Sequence, residues 1–590
     1  MKTFLALIIG AAVTASAQQQ QTKLPEGYWP EEKSNAILAK TEVIRLAPDL
    51  SSLSSEEQAA LKDLLQAGAI MQKLYEVSRH HEAQSALDQL RVLDVKLGQP
   101  KATQNLLDLY RLFQGPIATT LDNKREPFVP VSAQLPGRNV YPRDATREQI
   151  DAFLEKYTGE RSDILAERTV VRRTTRNNLL HDLGILNAFS LLRQLHPFLN
   201  DRLKSLQPVA DPTTFYAVPY TIAWADELVP AYNLLLRAGH TLRFRDPEFS
   251  RYLQNRARDL ITNDYESGDA SWVTGRFNRL NAQIGAYETY DDALYGVKAF
   301  HSMSILLTNE KATAELRKAL GGIQAIEDAL PYEAHKRVRE DIPVGVYDVI
   351  ADFGQARGTN TATILPNDPL FSRRYGRTIL LRENIMKHPD IFAADLRVWR
   401  TAAVDAHAND LAAEGNFQRT LWHEIGHYLG VDRDKNGRTL DVALEDYADS
   451  VEEMKADLVS LFALHRMNHP SLRAIQASGI RRTLQNVQPR KDQPYQVMQL
   501  VQFNWYMDKG LIASDPKTAR LTVNYDKYAD AVTSLLREVL KLQHDGDKAA
   551  TAAFFDKWTK WTPQHEKLAA RIRDAQGARF RIVKYAALGE

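Results

Sequence analysis

The chain has 590 residues, 44% of them hydrophobic, with 75 Lys and Arg against 74 Asp and Glu and no cysteine. Such a length and apolar content can fill more than one core. The balanced charge leaves no field to gather nucleic acid or an anionic membrane, and the lack of cysteine excludes both a disulfide framework and a lipid-attachment thiol.

Residues 1–17, MKTFLALIIGAAVTASA, place Lys2 before an apolar stretch from Phe4 to Val13 and end on Ala15-Ser16-Ala17. This is the pattern of a cleaved secretory signal, so a periplasmic or secreted protein is expected. The stretch is too short for a membrane span, and no later apolar run approaches the ~20 residues one needs. Gln18–Gln21 reads as a short polar tail.

From about 34 to 114, Ile37, Leu38, Val43, Ile44, Leu61, Leu64, Leu65, Ile70, Met71 and Leu74 recur at three- and four-residue steps. That spacing predicts helices, and the whole N-terminal third reads as helices joined by turns such as Leu135-Pro136-Gly137. Further on, Glu288 stands two residues before Tyr290, a spacing that puts both on one face of an extended chain. A carboxylate there can hold a terminal ammonium, and a phenol can donate to a carbonyl as it becomes an oxyanion. Between about Ile342 and Leu381 the chain is richer in β-branched residues, at Val344, Val346, Val349 and Ile350, then 359–365 and 378–381. This region is expected to form the main sheet. Pro366-Asn367-Asp368-Pro369 reads as a turn, and Phe580–Tyr585 as a last short strand.

His423-Glu424-Ile425-Gly426-His427 is an HExxH sequence. On a helix both imidazoles share a face and can reach one zinc ion, with Glu424 beside the remaining coordination position. Phe417, Leu421, Trp422, Ile425, Tyr428 and Leu429 supply the packing stripe, and Gly430 a place for the helix to end. A third ligand is sought in the acidic stretch 445–457, where Val451, Met454, Leu458, Val459, Leu461 and Phe462 predict a half-buried helix. Glu453 can bind metal while Asp457 accepts a hydrogen bond from the outer nitrogen of one histidine, and Glu452 can serve the other. Glu445 and Asp449 repeat the spacing, which leaves Glu445 as the rival ligand.

The five-residue histidine motif followed by Glu452-Glu453-Met454-Lys455-Ala456-Asp457 resembles the zinc motifs of the dipeptidyl peptidase III family, in a divergent bacterial branch. The resemblance implies one zinc per chain, with Glu453 rather than Glu445 as ligand. It gives Glu288 the substrate amine, Tyr290 a part in catalysis and Asn367 a hold on the substrate N-terminus. Tyr495 falls where the family carries a histidine, and Ile364 where it carries an asparagine. The fold implied is mainly α with a smaller mixed α/β part, two lobes around a cleft, with a helical zinc lobe and a lobe containing a small β-barrel-like sheet. The expected division runs 18–307 for the mostly helical start of the substrate lobe and 308–344 for a helical joining segment. It continues with 345–395 for the β-rich part, 396–565 for the zinc lobe and 566–590 for a C-terminal segment. The activity implied is release of dipeptides from oligopeptides. In the mechanism so implied, zinc held by His423, His427 and Glu453 would activate water, Glu424 would act as general base, and Tyr290, with Tyr495 as second donor, would stabilise the oxyanion. Other readings keep the metal in an aminopeptidase, endopeptidase or amidase, or make the chain a non-catalytic periplasmic binding protein.

Overall fold

The computed structural model describes residues 23–338, 343–365, 369–376, 378–490 and 493–590. The expected signal, the polar tail and Asn367 lie outside the described residues. The chain divides into two compact units, one of residues up to Ala39 with Glu82–Gln134, the other of Lys40–His81 with Leu135–Glu590. The smaller unit holds helices Glu31–Leu38, Ala83–Lys96 and Lys101–Phe113 and the hairpin Ile117–Thr119 with Arg125–Pro127. In it Trp29 packs edge-on against Phe128, and Asn105 Nδ2 donates to Ser34 Oγ at 3.1 Å.

The larger unit has two main apolar cores that meet at a five-stranded sheet. Its strands run in the order Leu280–Ala286, His301–Thr308, Val344–Gly354, Thr378–Arg382 and Ala362–Leu365. All neighbours are antiparallel except Val344–Gly354 with Thr378–Arg382, which pair in parallel with Ile379 opposite Val344. Side chains of successive strand residues point to opposite faces. Ile379 and Leu381 therefore join one core, with the helices Ala413–Gly426, Ala448–Arg466 and Tyr528–Asp545, while Leu380 joins the other. That other core is built on helix Ser55–Arg79, which packs on Ala225–Leu242 and on the sheet. A capping box starts this helix: Ser54 accepts from the Glu57 N–H at 3.2 Å, and Glu57 from the Ser54 N–H at 2.8 Å.

The sheet expected in 342–381 is present, but it extends upstream. Leu280–Ala286 and His301–Thr308 are buried almost throughout, so they show none of the polar alternation by which a strand is read. The N-terminal third is also less helical than its periodicity predicts. Thr41–Leu46, holding Val43 and Ile44, is a strand paired in parallel with Phe580–Tyr585, and Thr169–Thr174 pairs antiparallel with Asp211–Pro219. In the first, Ile44 and Leu46 are buried while Val43 is exposed, a two-residue period that overrides the helical spacing. Among the described residues no helix is long and apolar enough to cross a membrane.

The loop that follows strand Leu280–Ala286 carries Glu288 and Tyr290, and two acids just beyond them pin it. Buried Asp292 accepts from the backbone N–H groups of Leu294, Tyr295, Val297 and Lys298 at 2.9–3.1 Å, and from the Tyr141 hydroxyl. Asp291 accepts from the Tyr75 hydroxyl at 2.8 Å and pairs with Arg79 at 3.2 Å. Lys298, itself buried, donates Nζ to Ile164 O, Ala166 O and Thr169 Oγ1 at 2.6–2.8 Å. Replacing Asp292 by Ala strands several buried donors, so a loss of about 3 kcal/mol or more is expected. Denaturant unfolding checks it, and an unchanged midpoint would show that this carboxylate does not hold the loop.

Candidate metal centre

Helix Ala413–Gly426 carries His423 and, at its C-terminal cap, His427. Phe417, Leu421, Trp422 and Ile425 bury the expected stripe, followed by Leu429, with Tyr428 half-buried. The helix ends before Gly430. That glycine takes φ +81° in the following turn and gives its N–H to buried Glu327 at 2.8 Å. The carbonyls at and just beyond the helix end are met by Lys455, whose Nζ lies 2.9 Å from Gly426 O, which also accepts the Leu429 N–H at 3.2 Å, and 2.8 Å from Leu429 O. A cation suits this position at the negative end of the helix dipole.

Lys455 belongs to the acidic helix Ala448–Arg466, and the two helices almost touch at Gly426. A Cβ on Gly426 would stand 2.7 Å from Ala456 O, closer than a side chain can sit. Across this contact His423 Nε2 lies 3.2 Å from Glu453 Oε2, and His427 Nε2 lies 3.9 Å from Glu453 Oε1. The potential ligand atoms of these three residues fall within 4.8 Å of one another. The outer nitrogens are held as the spacing suggests, with His423 Nδ1 at 2.7 Å from Asp457 Oδ1 and His427 Nδ1 at 2.9 Å from Glu452 Oε1. Each acid takes an Nδ1–H, which fixes the ring and turns its Nε2 toward Glu453. Glu445 is elsewhere, paired with Lys548 at 2.6 Å, so the geometry groups Glu453 with the histidines. Two imidazole nitrogens and one carboxylate, with the outer nitrogens already bonded, form a donor set that fits a zinc-like divalent cation.

Charge is concentrated here against the cost of burial. Burial disfavours the His423 imidazolium, but Asp457 and Glu453 lift it to about 9. Burial also opposes the Glu452 carboxylate, yet Lys455 and His427 hold it down to about 2. Asp457, against the same opposition, is kept far below the usual carboxylate range by Arg482, His423 and Arg419. Arg482 Nε donates to it at 2.8 Å and Arg419 Nη1 at 3.2 Å. Gln543 adds a donor to Glu452 Oε2 at 2.9 Å.

The group faces a cavity of about 600 Å3 whose wall includes Glu424, Tyr495, Gln499 and the arginines 419, 481 and 482. Glu424 is half-buried on this wall and has no hydrogen-bond or ion-pair partner among the described residues. Tyr495 donates its hydroxyl to Glu453 Oε1 at 3.1 Å, and burial together with Glu453 raises its phenol pKa, so it remains a protonated donor. Glu288 and Tyr290 do not line the cavity. They stand together on the loop beyond strand Leu280–Ala286, where the Glu288 carboxylate raises the Tyr290 phenol above its usual value, and Tyr290 is 84% exposed. Sequence reasoning missed the roles of Lys455, Gln543, Arg419 and Arg482. Arg419 left a signal, four residues before His423 and so on the same helix face, and Lys455 stood inside the acidic motif, three residues after Glu452.

No family model matches the chain. It is 25% identical over 438 residues to Nudix hydrolase 3 of Arabidopsis thaliana, a match covering 72% of this chain and 54% of that protein. The chain thus spans about half the length of the curated relative it matches. Among solved structures it is similar to DPP III from Caldithrix abyssi, with a TM-score of 0.79 and 23% identity over 94% of this chain and 99% of that one. It is also similar to dipeptidyl-peptidase III from Corallococcus sp. strain EGB, with a TM-score of 0.70 and 22% identity over 95% and 98%. The chain therefore has the dipeptidyl peptidase III fold, mainly helical with a smaller mixed sheet, as the resemblance implied.

The grouping of donors predicts how metal content responds to substitution. Glu453→Ala should abolish stoichiometric zinc after loading, while Glu445→Ala keeps it. Asp457→Asn and Glu452→Gln should weaken affinity by about 10- to 100-fold. Atomic absorption on dialysed protein and competition with a chromogenic chelator read these out. Full zinc in Glu453→Ala would exclude the proposed ligand set.

Proposed function

We propose that the protein is a zinc-dependent peptidase that removes dipeptides from the N-terminus of oligopeptides. The observation that carries the hydrolytic reading is Glu424, an unpartnered carboxylate facing the cavity beside two imidazoles whose outer nitrogens are already held. Zinc bound by His423, His427 and Glu453 would supply a Lewis acid and lower the pKa of water. Glu424 accepts the proton of the attacking water and returns it to the leaving amine. Tyr495, whose single hydroxyl proton rests on Glu453 Oε1, turns that proton to the carbonyl oxygen as charge develops on it. The dipeptide register is supported by the sequence match at Glu288 and Asn367 and by the fold shared with the two dipeptidyl peptidase III structures. Because Glu288 and Tyr290 stand outside the cavity wall, anchoring the amine requires the sheet-side loop to approach the metal side. The activity named for the plant relative belongs to a protein matched over only about half its length, and is not proposed here.

Export is part of the same proposal, supported by the signal-like residues 1–17. The intact mass of protein recovered from the periplasm or medium should correspond to a chain beginning at Gln18. A cytoplasmic chain beginning at Met1 would overturn that.

The activity is tested with a matched pair of peptides, one with a free N-terminus and one acetylated, and with Glu424→Ala as control. Mass spectrometry should show dipeptides from the free peptide only, and Glu424→Ala should lower kcat by about 10²- to 10⁴-fold. An acetylated N-terminus deprives the Glu288 carboxylate of the ammonium it would hold, at a cost of roughly 1–3 kcal/mol. Single-residue release or internal cuts would discard the dipeptide register, and inert wild-type protein would discard the peptidase.

A further inference from the structure

Three arginines line the metal-facing cavity, and their bonding separates them. Arg419 is nearly buried and fully used, its Nε on Ser478 Oγ, one terminal nitrogen on Asp457 and the other on Thr420 Oγ1. Arg481 directs a terminal nitrogen to Asp395 at 2.6 Å. Arg482 differs: its Nε is fixed on Asp457 Oδ2 at 2.8 Å, its side chain is 27% exposed, and its terminal nitrogens have no partner among the described residues. The acid that anchors it is the one that holds His423 at 2.7 Å. Glu453 and Tyr495 both lie within its electrostatic reach.

We infer that Arg482 is a catalytic residue of the proposed hydrolysis, donating from its free terminal nitrogens to the carbonyl oxygen of the scissile bond as that oxygen becomes anionic. The inference rests on the peptidase reading. A guanidinium clamped through Nε by a buried carboxylate cannot swing away, so its donors are already oriented when charge develops, the condition under which such groups favour a transition state over a ground state. Its charge is permanent, which a phenol at Tyr495 cannot offer. The position also explains why Asp457 carries two guanidinium groups where orienting one histidine needs none.

The experiment first establishes which bond the wild-type zinc enzyme cuts, so a failure of the peptidase reading, which would overturn the inference with it, is seen before any variant is made. A phosphinic peptide with its phosphorus group in place of that bond then serves as transition-state probe. Arg482→Gln should keep its zinc and a near-normal KM, while kcat falls about 100-fold and the phosphinic peptide binds more weakly by a similar factor. Unchanged kcat and inhibitor affinity would overturn the inference. So would loss of zinc in step with activity, since the arginine would then act only by positioning Asp457. Should Arg482→Gln fail to fold, Arg482→Lys decides: it keeps the charge beside Asp457 but loses the fork, so kcat/KM and phosphinic affinity should fall together with zinc retained. Wild-type values for both in that variant would overturn the inference equally.

Discussion

The contact between the backbones of Gly426 and Ala456 is the constraint on which the rest of the site depends. With no Cβ at Gly426, the histidine helix lies against the acidic helix closely enough for Glu452, Glu453 and Asp457 to reach across to two imidazoles. Both helices repeat every three or four residues, so once one pair is in register the others follow without further design. Lys455 closes the arrangement by capping the carbonyls where the histidine helix stops, and it does so from the middle of the acidic segment. One residue of that segment therefore ends one helix while its neighbours complete the donor set of the same helix. A larger residue at 426 would separate the helices and undo the cap and the donor set together.

The burial of so many charges needs its own account, because an unpaired ion in a protein interior is costly and a paired one is often no better than neutral. Asp457 is enclosed by Arg419, Arg482 and His423, and Glu452 by Lys455, His427 and Gln543, so each carboxylate meets several donors. The result is a cluster whose imidazoles are held through their outer nitrogens and whose acids are kept below the usual carboxylate range. That is the preorganisation a metal site requires from the residues behind its ligands.

What could be read from the sequence follows the range of the interactions involved. The histidine motif, its packing stripe and the acidic helix were legible because every relation in them is a helical step. Spacing alone is the same for Glu453 and Glu445; the resemblance favours Glu453, and it is Glu453 that lies beside the two histidines while Glu445 pairs with Lys548. The strand Phe580–Tyr585 was legible, but its partner Thr41–Leu46 was absorbed into a helical stripe, because pairing between the two ends of the chain leaves no local trace. Leu280–Ala286 and His301–Thr308 escaped for the opposite reason, being buried on both faces and so without a polar alternation. Arg482 could not be found at all. It meets Asp457 only because helix Leu472–Arg482 packs beside the histidine helix, a tertiary fact with no motif attached.

Under the proposed function the same division separates chemistry from selectivity. The donor set and Glu424 sit on one pair of helices within one core, whereas Glu288 and Tyr290 sit on a loop that Asp291 and Asp292 fasten to the other core and its sheet. The departures from the pattern the sequence resembles, Ile364 on a sheet strand and Tyr495 beside Glu453, leave His423, Glu424, His427 and Glu453 unchanged, and under the proposed function they would bear on substrate handling and oxyanion contacts. Tyr495 makes this concrete. Where the family carries a group that titrates near neutrality, this chain carries a phenol that burial and Glu453 keep protonated. Under the proposed hydrolysis the contact it offers is a neutral donor, and positive charge opposite the developing oxyanion would come from the metal or from a side chain that never loses its proton.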